Sequence, residues 1–530
     1  MFSNTPKMIA KLILSLISAT LLSLGWMGVS GIGTLAGLVP LLIISAMYGE
    51  GRRQFWKTFG WTALALGLWS AVTTGWLYFA APFIPFLSVA ITIVLFGGIF
   101  MLYHYVSKRA PKALAYTLLV SGWIACEYLY TIGELSFPWL TLGNGFAGDI
   151  KLVQWYDTTG VFGGSLWALI VNILIYEALR FPHKGKWVAA AFVAVVPTAI
   201  SLTQYYSYEE TGDKVKATVI QPNIDPYFEK WIIPQDKQTD VMLELASRAP
   251  SDVDFFILPE TAVHEDIAEN TIANNRILNR FRTFLRNNYP NAQIITGAST
   301  QYYYGRGETI SNTARRDGDD SVWYDEYNTA LTIDTTGHTQ LHHKSLLVVG
   351  VERIPFPKIT KHLEWLVMDM GGTTGQLGID EAPVVFTTPC GARVAAPICW
   401  EAVFGSYCGQ FAQMGAQVFF VISNDGWWDD TRGHKQLFQY ARLRAVESRR
   451  SIGRSANTGT SGFINQRGDI MQKIGWGKRT AITGELTLND HLTFYAKYGD
   501  YIARICSYVL ALSILYFIAY RYKRRNKLVD

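Results

Sequence analysis

Three polar residues between positions 260 and 399 follow short strand-like runs, where they could carry nucleophilic chemistry. Cys399 ends "VAAPI", Glu260 follows "FFILP" and Lys344 follows "LHH". A thiol at a strand-to-helix turn lies near backbone N–H groups, and these groups, with a nearby lysine, lower its pKa and favour the thiolate. A glutamate with a raised pKa can take a proton from the thiol and later from an incoming nucleophile. These residue types therefore predict covalent catalysis through a cysteine.

Each of the three residues also has an ordinary structural interpretation when it is taken singly. A cysteine that ends an apolar strand is commonly a small core residue. Glu260 and Lys344 could equally be surface charges or partners in an ion pair. The order of the three residues and the sequences that flank them favour the catalytic interpretation.

The strands and helices that must position these residues are predicted from the pattern of residue types after residue 214. Short apolar, β-branched runs alternate there with stretches of helical spacing, which is typical of an α/β domain with buried strands covered by helices. Strands are predicted within 214–223, 252–261, 292–300, 327–334, 338–349, 382–388, 392–400 and 416–425. Helices are predicted at 237–248, 270–287, 402–414 and 434–450.

The first 205 residues show a different pattern. Uncharged runs follow one another there, and each is long enough to cross about 30 Å of hydrocarbon as a helix. Eight spans are predicted, at 10–28, 32–49, 58–80, 86–106, 112–131, 163–180, 187–204 and 500–521. They account for a composition that is 49% hydrophobic and 17% charged. The predicted domains are a membrane domain, 1–205, an extramembrane domain, 206–497, and a last span with a basic tail, 498–530.

Basic residues fall on alternate sides of these spans, which is the positive-inside pattern. They are clustered in "GRRQFWK", "SKRAPK", "RFPHKGK" and the tail "RYKRRNK". Both termini are therefore expected in the cytoplasm, and segment 206–497 on the periplasmic face of a bacterial inner membrane. The net charge of +5 is topogenic and gives no support to a nucleic-acid partner. The first span has no small-residue cleavage site after it, so it is not read as a secretory signal.

The five cysteines show neither a CxxC pair nor metal-ligand spacing, so no metal is expected. Cys126 and Cys506 lie within predicted spans. The outer three are an odd set in an oxidising compartment, so at least one of those thiols is expected to be unpaired. The sequence leaves open whether Cys390 and Cys408 form a disulfide.

The segments "LPET", "HHKSLLVVGVERIPF" and "PICWEAVF", in this order, resemble the nitrilase superfamily. The stretch from Cys399 to Gly468, together with seven spans before and one after, resembles its membrane-embedded branch, the apolipoprotein N-acyltransferases. That resemblance covers essentially the whole chain. It implies eight transmembrane helices and an extramembrane α/β domain arranged as an αββα sandwich.

The resemblance also assigns roles to individual residues. Cys399 matches the nucleophile, Glu260 the general base and Lys344 the basic residue of the triad. Glu352 and Glu401 match supporting glutamates, and Trp231 matches the tryptophan of a mobile loop; Trp400 stands where a tyrosine is commoner and is assigned with Trp231 to substrate binding or a lid. The chain departs from the family at Val349–Gly350–Val351 and at Leu437, which concerns the lid and the acceptor pocket.

The family reaction implies the substrates. A phospholipid such as phosphatidylethanolamine acylates the cysteine and leaves as a lysophospholipid, and the α-amine of an S-diacylglyceryl-cysteine apolipoprotein then takes the chain from the thioester. No cofactor is implied. The expected partners are the phospholipid donor, the diacylated apolipoprotein and the bilayer, with the enzyme as a monomer.

Residues 356–370 have apolar side chains at helical spacing with Lys361 and Glu364 opposite, as in a helix that lies in the membrane interface. A helix docked on the domain itself would show the same pattern.

Two other functions are compatible with parts of the sequence. A membrane-anchored amidase would keep the triad and pass the acyl group to water, although eight spans are elaborate for an anchor. A transporter with a binding module outside would use the spans, but these have few of the intramembrane charges that mark transport paths.

Overall fold

The computed structural model describes residues 5–317, 322–353, 355–356 and 377–526. The chain divides into two compact units, Met1–Ser207 with Tyr498–Asp530, and Tyr208–Lys497. Each unit has its own buried aromatic residues, among them Trp69 in the first and Phe256 in the second.

The first unit is helical, as expected for apolar runs whose backbone groups must bond within their own segment in hydrocarbon. Its α-helices are α1 (Thr5–Ser23), α2 (Val39–Met47), α3 (Arg52–Thr74), α4 (Ile84–Ser107), α5 (Lys112–Ile132), α6 (Tyr156–Arg180), α7 (Lys184–Ser207) and a C-terminal helix, Tyr501–Asn526. Short 3₁₀ helices connect them at Gly31–Leu35, Gly75–Phe79, Pro138–Leu140, Leu142–Phe146 and Ile150–Leu152.

Five helices of the described residues are long and apolar enough to cross a membrane: α4, α5, α6, α7 and the C-terminal helix. The prediction of a helical region with several apolar helices is therefore confirmed. The full count of eight spans stays a prediction, because α1, α2 and α3 are not among these five helices.

The second predicted span, 32–49, is not one continuous helix. It begins as the 3₁₀ helix Gly31–Leu35 and continues as α2, whose nine residues extend about 13 Å along the helix axis. Pro40 lies in the first turn of α2, where its missing N–H costs nothing. The N–H groups of Leu38 and Val39 donate to Asn172 Oδ1 of α6, and the Val39 N–H also bonds the Ala36 carbonyl, so these donors at the start of α2 are satisfied.

The second unit contains two β-sheets. Its strands are β1 (Lys214–Gln221), β2 (Phe255–Ile257), β3 (Val263–Ala268), β4 (Gln293–Tyr303), β5 (Arg315–Arg316), β6 (Trp323–Ile333), β7 (Leu341–His343), β8 (Val385–Thr387), β9 (Arg393–Ala395), β10 (Val418–Ser423), β11 (Ser451–Ala456), β12 (Ser461–Ile464), β13 (Ile470–Ile474) and β14 (Thr480–Thr487). The first sheet has the order β14-β1-β2-β4-β6-β5, with β3 beside β4 and β7 beside β6. The second has the order β13-β12-β11-β10-β9-β8.

Parallel strands occupy the middle of both sheets. In the first sheet β1, β2 and β4 are parallel, with Thr218 opposite Phe256 and Phe256 opposite Ile294. In the second sheet β9, β10 and β11 are parallel. Because parallel strands end at the same edge of a sheet, the residues that follow β9 and β10 are brought to one edge of the second sheet, and those that follow β1 and β2 to one edge of the first.

The two sheets pack face to face. The rings of Phe255 on β2 and Phe420 on β10 meet edge to face with centroids 5.1 Å apart. A side chain at Gly453 of β11 would place its Cβ 2.5 Å from Ile257 Cδ1, so glycine is required for the sheets to approach this closely. Ser455 Oγ donates to the Ile220 carbonyl at 2.7 Å, which adds a polar tie between the sheets.

Helices cover the outer faces of the sheets. These helices are α8 (Gln235–Ala246), α9 (Arg276–Asn288), α10 (Gly405–Gln413) and α11 (Arg432–Ser448), and a short helix, Phe494–Tyr498, follows. Met242 of α8 and Phe281 of α9 join the core of the first sheet, while Phe411 of α10 contacts Phe419 of the second with ring centroids 6.4 Å apart. The layer order is therefore helix, sheet, sheet, helix, as in the predicted αββα sandwich.

Several parts of this unit differ from the sequence prediction, among them the strands β3 and β5, which were not predicted. The helix predicted at 270–287 starts only after Asn275, whose side chain accepts the N–H groups of Ile277 and Leu278 as an N-cap. The strand predicted at 338–349 is limited to β7. Strands after residue 425, from β11 to β14, were not predicted, because their stretch is rich in glycine and polar residues that weaken the alternation pattern.

Candidate active site

Glu260 is presented by a tight turn at the end of β2. Beyond the strand, Leu258 N–H still bonds the Ile295 carbonyl at 2.9 Å, and Gly297 N–H bonds the Pro259 carbonyl at 3.1 Å. Thr261, the next residue after Glu260, has φ 47° in the left-handed region, which is costly for a β-branched residue. β2 and β3 both run parallel to β4, so this turn bends the chain without reversing it, and Glu260 within it is only 7% exposed.

Three groups hold the Glu260 carboxylate. Oε1 accepts from Lys344 Nζ at 3.1 Å and from Asn328 Nδ2 at 2.8 Å. Oε2 accepts the backbone N–H of Asn424, at the end of β10, at 2.9 Å. Burial alone would raise the pKa of Glu260, but the positive charge of Lys344 and these hydrogen bonds outweigh burial and hold that pKa below its usual range. A proton acceptor that is ionised and buried is therefore in place.

Lys344 follows β7 directly and is 1% exposed. Its Nζ lies 2.8 Å from Glu352 Oε1 as well as 3.1 Å from Glu260 Oε1. Burial opposes the charged form, but the two carboxylates outweigh it and raise the pKa of Lys344 above its usual value. The lysine is therefore an ammonium group with two anionic partners.

Asn328, on β6, is a site residue that the sequence did not predict. Its Nδ2 donates to Glu260 Oε1 at 2.8 Å and to Glu352 Oε1 at 3.0 Å, so it lies between the two carboxylates. Its backbone carbonyl also accepts the Lys344 N–H at 2.8 Å. The one signal in the sequence was its amide directly before the strand-like stretch "TALTI". Glu352 is fixed further by the Val348 N–H, which donates to its Oε2 at 2.8 Å.

Cys399 follows β9 after Ala396, Pro397 and Ile398, in a sharp turn. Its φ is 48°, in the left-handed region, and a strained backbone of this kind is the geometry of a nucleophile elbow. Ile398 bridges in parallel to Ile422 of β10, so the turn stays attached to the second sheet. The thiol is buried, with the residue 6% exposed.

The protonation state of this thiol differs from the sequence prediction of a lowered pKa. Burial raises the pKa of Cys399 far above its ordinary value, the negative charge of Glu260 adds to that, and Lys344 only partly opposes it. The helix after the cysteine is a 3₁₀ helix of five residues, Cys399–Val403, which is too short to offset burial. The resting side chain is therefore a thiol whose proton must leave when the sulfur reacts.

Glu401 is fully buried and ties the cysteine turn to the lysine turn. Its Oε1 accepts the Ser345 N–H at 2.7 Å, and its Oε2 accepts the Ile398 N–H at 2.8 Å. These donors are the neighbours of Lys344 and Cys399 in sequence. One carboxylate therefore bonds both turns, while its supporting role stays a prediction.

A chain of histidines and carboxylates extends from Glu401. His342 Nε2 lies 3.2 Å from Glu401 Oε2, and its Nδ1 faces Asp380 Oδ2 at 3.5 Å. His343 bonds Asp380 Oδ1 at 2.8 Å and Glu269 Oε1 at 2.9 Å. Burial would lower the pKa values of both histidines, but the carboxylates outweigh it and raise each to about 9. Both rings are therefore charged at neutral pH.

A buried ion pair also lies beside the cysteine. Arg454 of β11 donates to both oxygens of Asp425, at 3.0 and 2.9 Å, and Ser423 Oγ donates to Asp425 Oδ1 at 2.6 Å. Both the Ser423 hydroxyl and the Asp425 charge act on the Cys399 thiol. Sequence reasoning did not single out these residues, although "SNDG" directly follows a strand.

The two predicted tryptophans lie in different environments. Trp231 is 48% exposed, and its ring meets His264 edge to face at 5.4 Å. Trp400 is buried in the short helix after Cys399, with its ring centroid 6.2 Å from that of Phe404. Their roles in binding or as a lid stay predictions. The amphipathic pattern at 356–370 lies outside the described residues, apart from its first residue.

The cysteines of the described chain are free thiols, and Cys390 is exposed whereas Cys408 is buried. The disulfide that the sequence left open is therefore not formed. Among the described residues, no group of three histidine, cysteine or carboxylate side chains is placed to hold a metal ion.

Two family models match the chain. The carbon-nitrogen hydrolase model matches residues 216–492, and the model described as the apolipoprotein N-acyltransferase N-terminal domain matches residues 18–174. The first match spans the two sheets with all the site residues described above.

Curated relatives are similar over most of their length. An apolipoprotein N-acyltransferase of Chlorobaculum tepidum is 28% identical, over 88% of this chain and 88% of its own. One of Geobacter metallireducens is 25% identical, over 96% of this chain and 95% of its own. Among solved structures, Nit3 of Saccharomyces cerevisiae, described as a member of branch 10 of the nitrilase superfamily, is 17% identical over 53% of this chain and 92% of its own, with a TM-score of 0.35.

Proposed function

The chain belongs to the carbon-nitrogen hydrolase family, and we propose that it is the acyltransferase that moves a fatty acyl chain from a phospholipid to the N-terminal α-amine of a diacylated apolipoprotein. Its curated relatives carry the name of that activity, and the match of its N-terminal helices to the domain of those enzymes supports it. Cys399 carries the chain as a thioester, Glu260 is the general base and Lys344 supplies positive charge.

The observation that carries this proposal is a protonated thiol in the same buried site as an ionised carboxylate. The charges of Glu260 and Lys344 both act on Cys399. A thiol in this state reacts only when a base takes its proton, and Glu260 is kept ionised by Lys344, Asn328 and the Asn424 N–H for that task.

In the first half-reaction the sulfur attacks the ester carbonyl carbon of the phospholipid. The S–H proton passes to Glu260 while the C–S bond forms. The ester C–O bond then breaks, and the leaving alkoxide takes the proton back from Glu260 and departs as a lysophospholipid. The products are an acyl thioester on Cys399 and an ionised Glu260.

In the second half-reaction the α-amine of the apolipoprotein attacks the thioester carbonyl. Glu260 accepts the proton that the nitrogen loses as the C–N bond forms. The C–S bond breaks, and the sulfur takes that proton to regenerate the thiol. A thioester suits this exchange because it reacts readily with amines, whereas the amide product is stable.

Lys344 has a further part in both steps. An ammonium has three N–H donors, and two of them are directed at Glu260 and Glu352. The third donates to the carbonyl oxygen of the substrate as negative charge develops on it, which stabilises the transition state electrostatically. The positioning residues act through these groups. Glu352 contacts Lys344, Asn328 contacts Glu260 and Glu352, and Glu401 holds the elbow at Cys399.

Both proposed substrates are lipids, and the described part of the chain includes five helices long and apolar enough to cross a bilayer. We place the enzyme in the bacterial inner membrane as a monomer, with the catalytic unit in the periplasm and both termini in the cytoplasm. The alternating basic clusters of the sequence support this orientation. Exposed Cys390 provides a test: a membrane-impermeant maleimide should label it in intact spheroplasts, and a cysteine placed at Lys523 should be labelled only after permeabilisation. The reverse pattern would overturn the orientation.

The activity is tested by separating the two half-reactions. Purified enzyme is incubated with a phospholipid labelled in its acyl chain, excess donor is removed, and a lipopeptide with an N-terminal S-diacylglyceryl cysteine is added. Label should reach Cys399 with release of lysophospholipid before the peptide is present, and should then pass to the peptide. Label that passes to water at one rate with or without the peptide would show an amidase-like hydrolase instead.

The matched controls are two cysteine variants. Cys399→Ser should accept no label, since a hydroxyl has a much higher pKa than a thiol and gives little nucleophile with the same base. Cys390→Ser removes an exposed thiol and should behave as the wild type. Equal labelling of the two variants would remove Cys399 from the mechanism.

A further inference from the structure

Lys230 is a second buried lysine near Glu260, and the mechanism above does not use it. It is 4% exposed and lies in segment 225–233, between β1 and α8. Burial lowers its pKa to about 8, with Glu260 opposing the change, so it is charged at pH 5 to 7. A buried ammonium is costly unless its hydrogen bonds are satisfied, so its place in the structure calls for a physical reason.

The contact of its ammonium is with the turn that presents the base. Lys230 Nζ donates to Thr261 Oγ1. Thr261 is the residue after Glu260 and has the left-handed φ described above. Behind the turn, a Cβ at Gly297 would lie 2.4 Å from Thr261 N and 2.6 Å from Glu260 Cα, so the turn is seated directly on β4. The strained turn is therefore held from one side by Gly297 and from the other by Lys230.

The backbone of Lys230 is fixed as firmly as its side chain. Its N–H donates to the Asp225 carbonyl at 2.8 Å, and its own carbonyl accepts Gln238 Nε2 of α8 at 2.6 Å. A cavity of about 10 Å³, the size of about one water molecule, borders Lys230, Glu260 and Thr261. Lys230 is thus the connection between segment 225–233 and the turn of the base.

We propose that Lys230 is a positioning residue for Glu260: it fixes the Glu260–Thr261 turn through the Thr261 hydroxyl and supplies a second positive charge beside the carboxylate. This inference rests on the proposed role of Glu260 as general base. It also makes the base dependent on segment 225–233, whose Phe228 and Ile232 are 77% and 75% exposed.

The effect is measurable as a pH dependence. The titratable and charged groups around Glu260 are Lys344, Glu352, Cys399 and Lys230. His264 neighbours Lys230, but burial and the lysine charge lower its pKa to about 4, so it stays neutral above that pH. Removal of the Lys230 charge raises the pKa of Glu260, and the acid limb of base-assisted thiol reactivity then moves to higher pH.

The test is alkylation of Cys399 by iodoacetamide from pH 3.5 to 8, followed on its own peptide by mass spectrometry. This readout needs no lipid substrate. Lys230→Met should move the acid limb upward by about 1 pH unit and slow alkylation at pH 7 at least about tenfold. Lys237→Met, at an exposed lysine of α8, should match the wild type, and exposed Cys390 in the same samples should be alkylated equally in all variants.

Thr261 variants test the connection itself. Thr261→Ser keeps the hydroxyl and should stay near the wild type, while Thr261→Val should slow Cys399 alkylation. Because both residues act through one contact, Lys230→Met with Thr261→Val should be no slower than Lys230→Met alone.

An acid limb that stays at the wild-type pH in Lys230→Met overturns the proposal, even if the variant is slower or melts earlier. If Lys230→Met does not fold, equal rates for Thr261→Val and Thr261→Ser overturn it instead. Should the wild type fail to take label from phospholipid while these alkylation results hold, the proposed function fails and the positioning role of Lys230 stands.

Discussion

Lys344 and Glu260 form a buried ion pair, with Nζ 3.1 Å from Oε1, and both residues lie at strand ends of the first sheet. The pair is not neutral overall, because Glu352 lies 2.8 Å from the same ammonium. The Lys344 ammonium therefore pairs directly with two carboxylates in a buried site. This arrangement keeps the proposed base ionised, and it makes the site depend on Lys344 for stability as well as for chemistry.

Lys344→Met should inactivate the enzyme and destabilise it. Removal of the lysine leaves two buried carboxylates without their shared ion-pair partner, at a cost of about 3 to 5 kcal/mol. For a unit of this size, the thermal midpoint of the purified protein should fall by about 6 °C or more. The double variant Lys344→Met, Glu260→Gln should recover part of that loss without recovering activity. A single variant as stable as the wild type would show that the ion pairs of Lys344 do not contribute to stability.

Glu401→Gln should slow formation of the acyl-enzyme about 100-fold or more. The amide keeps the size of the side chain but turns one acceptor into a donor, and that donor would face either the Ser345 N–H or the Ile398 N–H. The turns at Lys344 and Cys399 then lose the carboxylate that bonds both of them. A displacement of about 1 Å in a catalytic group can slow a reaction about 100-fold. Exposed Glu381 is the matched control, and Glu381→Gln should keep full activity. Full activity in Glu401→Gln would remove its supporting role.

Gly297→Ala should slow acyl-enzyme formation at least about tenfold and lower the free energy of unfolding by about 1 to 3 kcal/mol. Its Cβ would lie 2.6 Å from Glu260 Cα, so the turn of the base must move. Gly475→Ala is the control, because nothing lies within 4 Å of its Cβ position. Single-turnover labelling and thermal unfolding measure the two effects. Equal rates for the two variants would show that the base tolerates displacement of its turn.

The catalytic unit should become less stable at alkaline pH, because deprotonation of His343 removes a stabilising charge. Its folded pKa of about 9 lies above the unfolded value near 6.5, so the stabilisation is complete below pH 6.5 and is lost as the pH rises through 9. The amount is of the order of 3 kcal/mol. In thermal unfolding from pH 6 to 10, the difference between the wild type and His343→Asn should shrink with pH. His338→Asn, at an exposed histidine, should run parallel to the wild type. A constant difference for His343→Asn would contradict the charged state of the ring.

The sequence identified the residues that end the strands, because strand alternation and abrupt polar ends are local features of a chain. Glu260, Lys344 and Cys399 could be named with their residue types, and the apolar runs predicted a helical region with several apolar helices. The α/β character of the second unit followed from the same local patterns. The break within the second predicted span could not be predicted, because a glycine-rich 3₁₀ turn is as apolar as the helix that follows it.

Only the tertiary structure decided what surrounds the reactive groups. The Asn424 N–H, at the end of β10, reaches Glu260 across 164 residues, and Asn328, in the middle of β6, reaches it across 68, because sheet order and sheet stacking bring these residues together. The depth of burial made Cys399 a protonated thiol where local sequence predicted a lowered pKa. The sequence analysis did not single out Lys230 beside Trp231, since a lysine between two predicted elements is expected to be solvated unless packing buries it. Burial and long-range pairing depend on the whole fold, and no local pattern records them.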